Sequence, residues 1–280
     1  MIPPVADRFV AGETPQSALR HTDSLSRDGI GAILNLLGEH YTDSSRARAD
    51  RESYRTVLDE IARTGRSVGI SVKPSQLGVL IGESTFRENL RAVVSTANSH
   101  SLPVWIDMED HTTTDATLDA YVDLVTEFDG GLGVCLQSNL ERTRDDLERV
   151  SGLPGAIRLV KGAYDEPRNI AYRRPERVNE QFTSHLEYLF EEGDTGIAIG
   201  THDPAMIDFA LSRQEEYGTP VEFQFLMGVR EDEQRRLAEQ GIDVVQYVPY
   251  GSKWASYFYR RLRERKQNVL FALRAVLDFS

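Results

Sequence analysis

Short segments rich in β-branched and other apolar residues alternate along the chain with longer segments in which apolar residues recur every three or four positions. The short segments predict strands at residues 30–37, 68–73, 104–108, 132–136, 156–160, 196–200, 221–226 and 242–248. The longer segments predict a first helix at 15–28 and, after the strands in turn, helices at 44–64, 83–100, 114–128, 140–150, 176–192, 203–217, 231–240 and 253–279.

Eight strands, each followed by a helix, indicate an α/β protein and match the count and size of a (β/α)8 TIM-type barrel. We expect one domain over residues 1–280, with an N-terminal helical segment at 1–29 and the barrel at 30–280. An open doubly wound sheet could be built from the same alternation, but no GxGxxG motif follows any strand. Apolar residues in the second half of the last helix predict that it docks on the barrel, with its first half over the barrel mouth.

Composition narrows the class of protein. Apolar residues make up 40% of the chain, enough for a packed core, and neither a stretch of 18 apolar residues nor a signal-peptide pattern is present. We therefore expect a cytoplasmic globular protein. The formal net charge of −12 disfavours nucleic acid as a partner, because an acidic surface repels phosphates. The single cysteine, Cys135, excludes an intramolecular disulfide, and its apolar strand predicts a buried, inert thiol.

The basic residues are unevenly chosen. Of the 32 lysine and arginine residues four are lysines, which leaves 28 arginines; the lysines are Lys73, Lys161, Lys253 and Lys266. Excess acid with few lysines is typical of a surface adapted to high salt, where self-repulsion is screened. A GC-rich coding sequence would also replace lysine by arginine, so both explanations stay open.

Function in a barrel of this kind lies at the C-terminal ends of the strands. Every strand ends in polar or ionisable residues, which are Glu39, Lys73, Asp107, Glu109, Gln137, Arg158, Lys161, Thr201, His202, Gln224 and Tyr247. Lys73, Asp107 and Arg158 close or interrupt apolar segments, where a charge must be paired or solvated in a cavity. These three residues are the strongest candidates for a site, with a structural ion pair as the alternative.

Lys161 is followed by two small residues, Gly162 and Ala163, which would let a flat or bulky ligand approach the backbone closely. A lysine at a barrel strand end can form a Schiff base with a carbonyl substrate or contact an anionic ligand. A solvated loop lysine is the plainer alternative.

The last predicted helix carries Tyr257, Arg260, Arg261 and Glu264, whose spacings of three and four place them on neighbouring parts of one face. Over the barrel mouth, the two adjacent guanidinium groups would form a fork for one small carboxylate. Taken alone, a solvated surface with an Arg260–Glu264 pair explains the pattern as well.

The histidines show no metal-ligand spacing, so we expect no metal site. His202 lies at a strand end, where it could touch a ligand or be a satisfied core group.

Eight segments, in order along the barrel, carry a resemblance to a known family. They are LLGE (36–39), ISVKPS (70–75), IDMED (106–110), CLQS (135–138), RLVKGAY (158–164), GTHD (200–203), EFQFLMG (222–228) and YVPYGSKWASYFYRRLRE (247–264). Together they resemble proline dehydrogenase. RLVKGAY combined with Y-x2-RR-x2-E is the specific part of the resemblance, and the other segments are weak alone. The length resembles the compact, monofunctional form without a fused aldehyde dehydrogenase half.

The resemblance implies FAD-dependent oxidation of L-proline to Δ1-pyrroline-5-carboxylate by hydride transfer to the flavin N5, the first step of proline catabolism. It also implies a quinone as electron acceptor, with any membrane contact peripheral, and functional pairing with a pyrroline-5-carboxylate dehydrogenase. The residues alone leave two alternatives open: a Schiff-base aldolase that uses Lys161, and a catalytically silent barrel that binds proline.

Roles follow by position from the same resemblance. Arg260 and Arg261, assisted by Lys73, would hold the proline carboxylate. The implied packing around the pyrrolidine ring is Leu226, Tyr247 and Tyr257. The implied catalytic group is Lys73, Asp107, Arg158 and Tyr247, in which Asp107 would organise the charges.

For the cofactor, the resemblance implies that Arg158 lies by the flavin N5. The implied FAD lining is Gln137, Lys161, Gly162, Thr201 and His202. Glu39 matches the family's gate residue, which can pair with an arginine of the clamp when the site closes. Asp165 departs from some relatives, which carry Trp at that position, and this leaves the adenosine side of the pocket open.

Overall fold

The computed structural model describes residues 6–66, 68–192, 195–255 and 257–258. Within them, eight parallel strands close into a barrel in which each strand pairs with the next and the last pairs with the first. The strands are β1 (Gly31–Leu36), β2 (Val68–Val72), β3 (Val104–Ile106), β4 (Leu132–Gln137), β5 (Ala156–Val160), β6 (Gly196–Gly200), β7 (Val221–Leu226) and β8 (Asp243–Tyr250). The α/β TIM-type barrel expected from the alternation is confirmed.

Among the described residues, one α-helix precedes β1 and seven follow β1 to β7 in turn. They are α1 (Pro15–Arg27), α2 (Ser44–Thr64), α3 (Glu83–Ser99), α4 (Thr114–Glu127), α5 (Thr143–Val150), α6 (Pro175–Glu192), α7 (Pro204–Tyr217) and α8 (Glu231–Glu239). Of the predicted last helix, Trp254, Ala255, Tyr257 and Phe258 are described and helical, whereas Arg260 and Arg261 lie outside the described residues. In the described part of the chain, no helix is long and apolar enough to cross a membrane.

α2 shows how local sequence sets the bounds of a helix. At its start, the Asp43 side chain accepts a hydrogen bond from the backbone N–H of Ser45 (2.8 Å). At its end, Gly65 adopts a left-handed conformation with φ of 66°, which a residue without Cβ takes up freely. These signals are local, and the predicted bounds of 44–64 agree with the structure.

α5 begins later than the sequence predicts, at Thr143 instead of residue 140. Leu140 forms an isolated antiparallel bridge with Ala171, and the N–H of Glu141 donates to the carbonyl of Ile170 (2.9 Å). Because the loop after β5 pairs with the backbone of these two residues, they do not join the helix, which begins at Thr143. The same contact ties the end of β4 to that loop.

β8 continues through Pro249 to Tyr250, beyond the predicted end at Val248. A proline normally ends a central strand because it has no N–H to donate. Here β7 pairs with β8 only up to Tyr247, so Pro249 has a partner strand on the β1 side alone. The N–H of Leu37 donates to the carbonyl of Tyr250 (2.8 Å), which holds the end of the strand against β1.

Successive residues of each strand alternate between two environments. Phe223 and Phe225 of β7 belong to the large core between the barrel and its helices, while Gln224 between them points inward. A smaller apolar cluster inside the barrel is built on Ile33, Trp105 and Ala198, with Ala156, Val245 and Tyr247 packed against it. This interior layer lies beneath the polar residues at the C-terminal ends of the strands and supports them.

Candidate active site

A cavity of about 830 Å3 opens at the C-terminal ends of the strands. Eleven of the predicted site residues line it: Lys73, Asp107, Gln137, Arg158, Lys161, Gly162, Thr201, His202, Leu226, Tyr247 and Tyr257. Strands β2 to β8 and the residues directly after them deliver all of these except Tyr257, because parallel strands in a closed barrel all end at the same mouth.

Asp107 is the centre of the polar network. It follows β3 and is buried, with 7% of its surface exposed. One carboxylate oxygen, Oδ1, accepts hydrogen bonds from Ser71 (2.6 Å) and from Arg158. The other, Oδ2, accepts from Lys73 (2.8 Å) and Tyr247 (2.7 Å). Four donors on or directly after three strands, β2, β5 and β8, therefore share one carboxylate.

The charges of this cluster follow from its surroundings. Burial alone would raise the pKa of Asp107, but the positive charges of Lys73 and Arg158 outweigh it and hold that pKa well below its usual range. Burial would likewise lower the pKa of Lys73, yet Asp107 raises it well above its ordinary value. Burial and the charge of Asp107 both raise the pKa of Tyr247. At neutral pH the cluster thus holds two cations, one anion and a neutral phenol, with one net positive charge.

Arg158 is held from several directions on the inner face of β5. Besides Asp107, its guanidinium donates to Oε1 of Gln224 (2.9 Å). It also lies over the rings of Trp105 (5.2 Å to the centroid) and Tyr247 (5.9 Å). With 5% of its surface exposed, Arg158 is a fixed cation at the floor of the cavity.

Lys161 lies on a second wall of the cavity, after β5. Its ammonium group donates to Oδ1 of Asn179 on α6 (2.5 Å) and to Oδ2 of Asp203 (2.5 Å). Asp203 also caps α7 by accepting from the N–H of Ala205 (3.0 Å), and its own N–H donates to Oγ1 of Thr201 (3.2 Å). Lys161 is therefore an ion-paired ammonium and not a solvated loop lysine.

His202 both lines the cavity and makes structural hydrogen bonds, which combines the two alternatives left open by the sequence. Its Nε2 accepts from the backbone N–H of Leu226 (3.1 Å), so this geometry requires Nε2 without a proton. Its carbonyl accepts from Arg230 (2.8 Å), and its ring meets Phe225 edge to face at 5.7 Å. These contacts tie the end of β6 to β7.

Tyr257 is buried in a small apolar cluster with Phe9, Val10 and Leu37. The N-terminal segment thus packs against the start of the last helix at the barrel mouth. Arg260, on the same predicted helix, lies outside the described residues, as does Arg261.

Glu39 is half-buried on the loop after β1 and is not among the described residues that line the cavity. Its loop is anchored by Ser75, which accepts from the N–H of His40 (2.8 Å, Oγ) and of Tyr41 (3.0 Å, carbonyl). Ser75 is itself held by buried Glu109, whose carboxylate accepts from the serine N–H (2.6 Å) and hydroxyl (2.7 Å). Glu109, which the sequence singles out as a strand-end residue, therefore holds the loop after β1 in place through Ser75.

Sequence reasoning missed several members of the network. Ser71 lies two residues before Lys73, so the period of a strand places both on the inner face, and this was the available signal. Asn179 comes from the N-terminal part of α6 and had no such signal. Cys135 also lines the cavity and lies opposite Arg158 in the register of β4 and β5. It is buried, as expected.

The chain is similar to known proteins of one family. A proline dehydrogenase family model matches residues 18–274. Proline dehydrogenase 1 of Bacillus subtilis (strain 168) is 34% identical over 275 residues, which is 97% of this chain and 90% of the relative. The proline dehydrogenase of Deinococcus radiodurans is 34% identical over 280 residues, 98% of this chain and 90% of the relative.

Among solved structures, proline utilization A from Bdellovibrio bacteriovorus inactivated by N-propargylglycine superposes with a TM-score of 0.85 at 21% identity. The match covers 92% of this chain and 32% of that one, so it supports the fold of one part of a longer protein. From the family model and from relatives at 34% identity that it covers almost completely, it follows that the chain belongs to the proline dehydrogenase family.

Proposed function

We propose that the protein oxidises L-proline to Δ1-pyrroline-5-carboxylate, with hydride transfer to N5 of a bound FAD. The observation that carries the proposal is the Asp107 cluster. There two cations, buried Arg158 and partly buried Lys73, share one carboxylate and leave one net positive charge at a cavity of about 830 Å3. Membership of the proline dehydrogenase family supports the same reaction.

The cavity fits a flavin cofactor. Its volume lies within the roughly 300–1,000 Å3 typical of cofactor sites. Gly162 has φ of 110°, and a Cβ there would collide with the side chain of Asn139, so this wall is bare backbone that a flat ring can approach. The residues that we propose to hold FAD are Gln137, Arg158, Lys161, Gly162, Thr201 and His202.

When bound, FAD supplies the hydride acceptor. The contribution of the protein to this step is electrostatic. The guanidinium of Arg158 provides a fixed positive charge that would favour an electron-rich ring beside it. Asp107 holds Arg158 and Lys73 in place, and because one carboxylate faces two cations, it does not neutralise them.

The substrate is proposed to bind on the Lys73 side of the cavity. Arg260 and Arg261, together with Lys73, would clamp the proline carboxylate through charge-assisted hydrogen bonds. The pyrrolidine ring would pack against Leu226, Tyr247 and Tyr257, which line the cavity and supply apolar surface. Glu39 is proposed as the gate, paired with an arginine of this clamp when proline is bound.

Proline must lose its amine proton before hydride transfer, and the described residues of the cluster offer no ready acceptor. Asp107 accepts four hydrogen bonds, so its lone pairs are already directed to partners. The hydroxyl of Tyr247 donates a hydrogen bond to Asp107, and its pKa is raised, so this hydroxyl keeps its proton at neutral pH. We therefore propose that solvent takes the proton.

A Schiff-base aldolase that uses Lys161 is disfavoured. A Schiff-base lysine must present a free amine to a carbonyl carbon. The Lys161 nitrogen instead donates to the Asp203 carboxylate and to Asn179, a geometry that holds an ammonium. A silent proline-binding barrel has the same contacts as the enzyme and is separated from it only by experiment.

We also propose that the electron acceptor is a quinone and that the protein is cytoplasmic. It would reach the quinone by peripheral contact with the surface of a membrane. Its product would pass to a pyrroline-5-carboxylate dehydrogenase. Both follow from the resemblance to the family and from the chemistry of the product.

An absorption spectrum tests the function directly. We expect the purified protein to be yellow and its flavin bands to bleach under anaerobic conditions on addition of L-proline, with D-proline as the control. Binding of proline without bleaching would identify a silent barrel. A colourless protein trapped as a covalent adduct by borohydride would identify an aldolase.

A further inference from the structure

A chain of hydrogen bonds leads from Arg158 away from the cavity. Nη1 of Arg158 donates to Oε1 of Gln224 (2.9 Å), and Nε2 of Gln224 donates to Oε1 of Glu222 (2.6 Å). We propose that Glu222 is a positioning residue that fixes the amide of Gln224 and, through it, the guanidinium plane of Arg158. Its effect on catalysis rests on the proposed flavin-dependent function.

The register of β7 makes this contact possible. Glu222 and Gln224 are two residues apart on one strand, so both side chains point into the barrel. Between them, Phe223 faces the outer core. Arg158 lies inside the barrel on β5, so Gln224 is placed between a cation and a carboxyl group.

The amide of Gln224 needs a defined orientation. A guanidinium carries only donors, so the amide must turn its oxygen toward Arg158 and its NH2 group toward the opposite side. A carboxylate has only acceptors, and Glu222 therefore accepts from that NH2 group and fixes the orientation. With a side chain lacking an acceptor at position 222, the buried NH2 group of Gln224 would lose this partner, and the amide could rotate.

The orientation of Arg158 depends on Gln224 in turn. Two hydrogen bonds to different nitrogens of the guanidinium, from Nη2 to Asp107 and from Nη1 to Gln224, define the rotation of its plane. With one of them lost, the group can turn between the rings of Trp105 and Tyr247. A cation that turns stabilises charge beside it less well than a fixed one.

Glu222 acts from outside the cavity. It lines a second cavity of about 400 Å3 at the N-terminal end of the barrel, together with Trp105 and Gly133, and not the cavity at the C-terminal end. Its carboxyl group is therefore remote from any molecule bound beside Lys73 or Lys161. Glu222 is a positioning residue and not a catalytic one.

Four variants of the full-length protein test the proposal: E222L, E222Q, Q224L and the double variant E222L/Q224L. We expect E222L to slow proline-dependent flavin reduction about tenfold. E222Q keeps an acceptor oxygen and should stay within about twofold of the wild type. Q224L should match E222L, and the double variant should be no worse than either single one, because both changes break the same chain.

D243N is the matched control. Asp243 lies opposite Glu222 in the register of β7 and β8, is exposed, and carries the same charge at the same end of the barrel. If loss of negative charge there were the cause, D243N would slow the enzyme as much as E222L does. We expect no change in D243N, and urea unfolding of each variant shows whether it is folded.

Two readouts separate this proposal from the proposed function. The first is the reduction potential of the bound flavin, which is measured by titration with dithionite and a reference dye in the absence of proline. A tenfold loss of stabilisation of the reduced form lowers a two-electron potential by about 30 mV. The fluorescence of Trp105, recorded in a W254F background at matched flavin content, reports the guanidinium over its ring without relying on the cofactor. If proline does not bleach the wild type, the function fails while these measurements still test Glu222.

Equal effects of E222L and E222Q, or additive effects of E222L and Q224L, would overturn the proposal. An unchanged potential and unchanged Trp105 fluorescence in folded E222L would do the same.

Discussion

The protein carries its charges in two contrasting settings. Inside the barrel, Asp107 and Arg158 are buried and Lys73 is partly buried, and each carboxylate oxygen of Asp107 accepts two hydrogen bonds. On the surface, α3 and α4 are linked by pairs such as Arg87–Asp123 and Arg91–Glu127, whose side chains are more than a third exposed. A buried charge must be paired because its desolvation is unfavourable, whereas an exposed pair contributes only about 0–1 kcal/mol. The same ion-pair chemistry therefore shapes the site in one place and has little effect in the other.

Even within the barrel, two carboxyl groups differ. Burial raises the pKa of Glu222, and its hydrogen bond from Gln224 and the nearby charge of Arg158 do not reverse that shift. Asp107 is more deeply buried, yet its pKa is lowered because two cations contact it directly. The number of adjacent cations, and not burial alone, decides the direction in which the pKa of each group shifts.

Removal of Asp107 should have the largest effect. D107A leaves buried Arg158 and partly buried Lys73 side by side without their anion, and we expect the free energy of unfolding to fall by about 3–5 kcal/mol. Proline-dependent flavin reduction should be lost. Urea unfolding and anaerobic stopped-flow absorbance measure the two effects.

The matched surface variant is D123A, which removes the partner of Arg87 and should change stability by less than about 1 kcal/mol. Equal losses in D107A and D123A would contradict the contrast between the two settings.

A buried histidine outside the barrel should produce the next effect, through pH. His185 on α6 is buried, its Nδ1 has no hydrogen-bond partner among the described residues, and burial lowers its pKa from 6.5 to about 4. Between pH 6.5 and 4, His185 is therefore protonated in the unfolded chain but not in the folded chain. The free energy of unfolding falls as the pH drops through this range. The full effect is about 3 kcal/mol. Asp107 stays ionised throughout this window, because its pKa is lowered below the usual 3.8.

Urea unfolding at several pH values, compared between the wild type and H185L, measures this contribution. We expect H185L to flatten the curve between pH 6.5 and 4. H40N is the control: His40 is exposed and has φ of 59°, a conformation that asparagine tolerates. A pH dependence that H185L leaves unchanged would assign the loss of stability to other groups.

The fold was predictable where the signal is local. β5, β6 and β7 agree with their predicted bounds, because each is a short segment rich in β-branched and other apolar residues. The start of α5 and the end of β8 were wrong, since each depends on a distant partner: the loop after β5 for Leu140, and β1 for Tyr250. Sequence spacing does not contain those contacts.

The site shows the same division. Lys73, Asp107 and Arg158 were found because a charge in an apolar strand is conspicuous, and the barrel brings their strand ends together. The partners of Lys161 were not found, because Asn179 and Asp203 reach it from two different helical connections. A single side chain can be singled out by its pattern, but the pairing of two requires the fold.

The proposed carboxylate clamp should show a smaller effect, on substrate binding. R260A or R261A removes charge-assisted hydrogen bonds worth about 1.5–3 kcal/mol, so the KM for proline should rise about 10- to 100-fold while FAD stays bound. Steady-state kinetics and the flavin content of the purified variants measure this. K266A, on the opposite face of the same predicted helix, is the control and should leave KM unchanged. A normal proline affinity in R260A and R261A would refute the clamp.

Salt should have the smallest effect, and it separates the two settings of charge most directly. The net charge of −12 repels itself at low ionic strength, and salt shortens the range of that repulsion from about 10 Å at 0.1 M to about 3 Å at 1 M. We expect the free energy of unfolding in urea to rise by about 1 kcal/mol over this range, since weakening of exposed ion pairs opposes only part of the gain. The deficit of D107A should not change with salt, because solvent ions do not reach a buried pair. Stability and activity that are the same after dialysis into dilute buffer would argue against adaptation to high salt. A GC-rich coding sequence would then remain as the explanation for the scarcity of lysine.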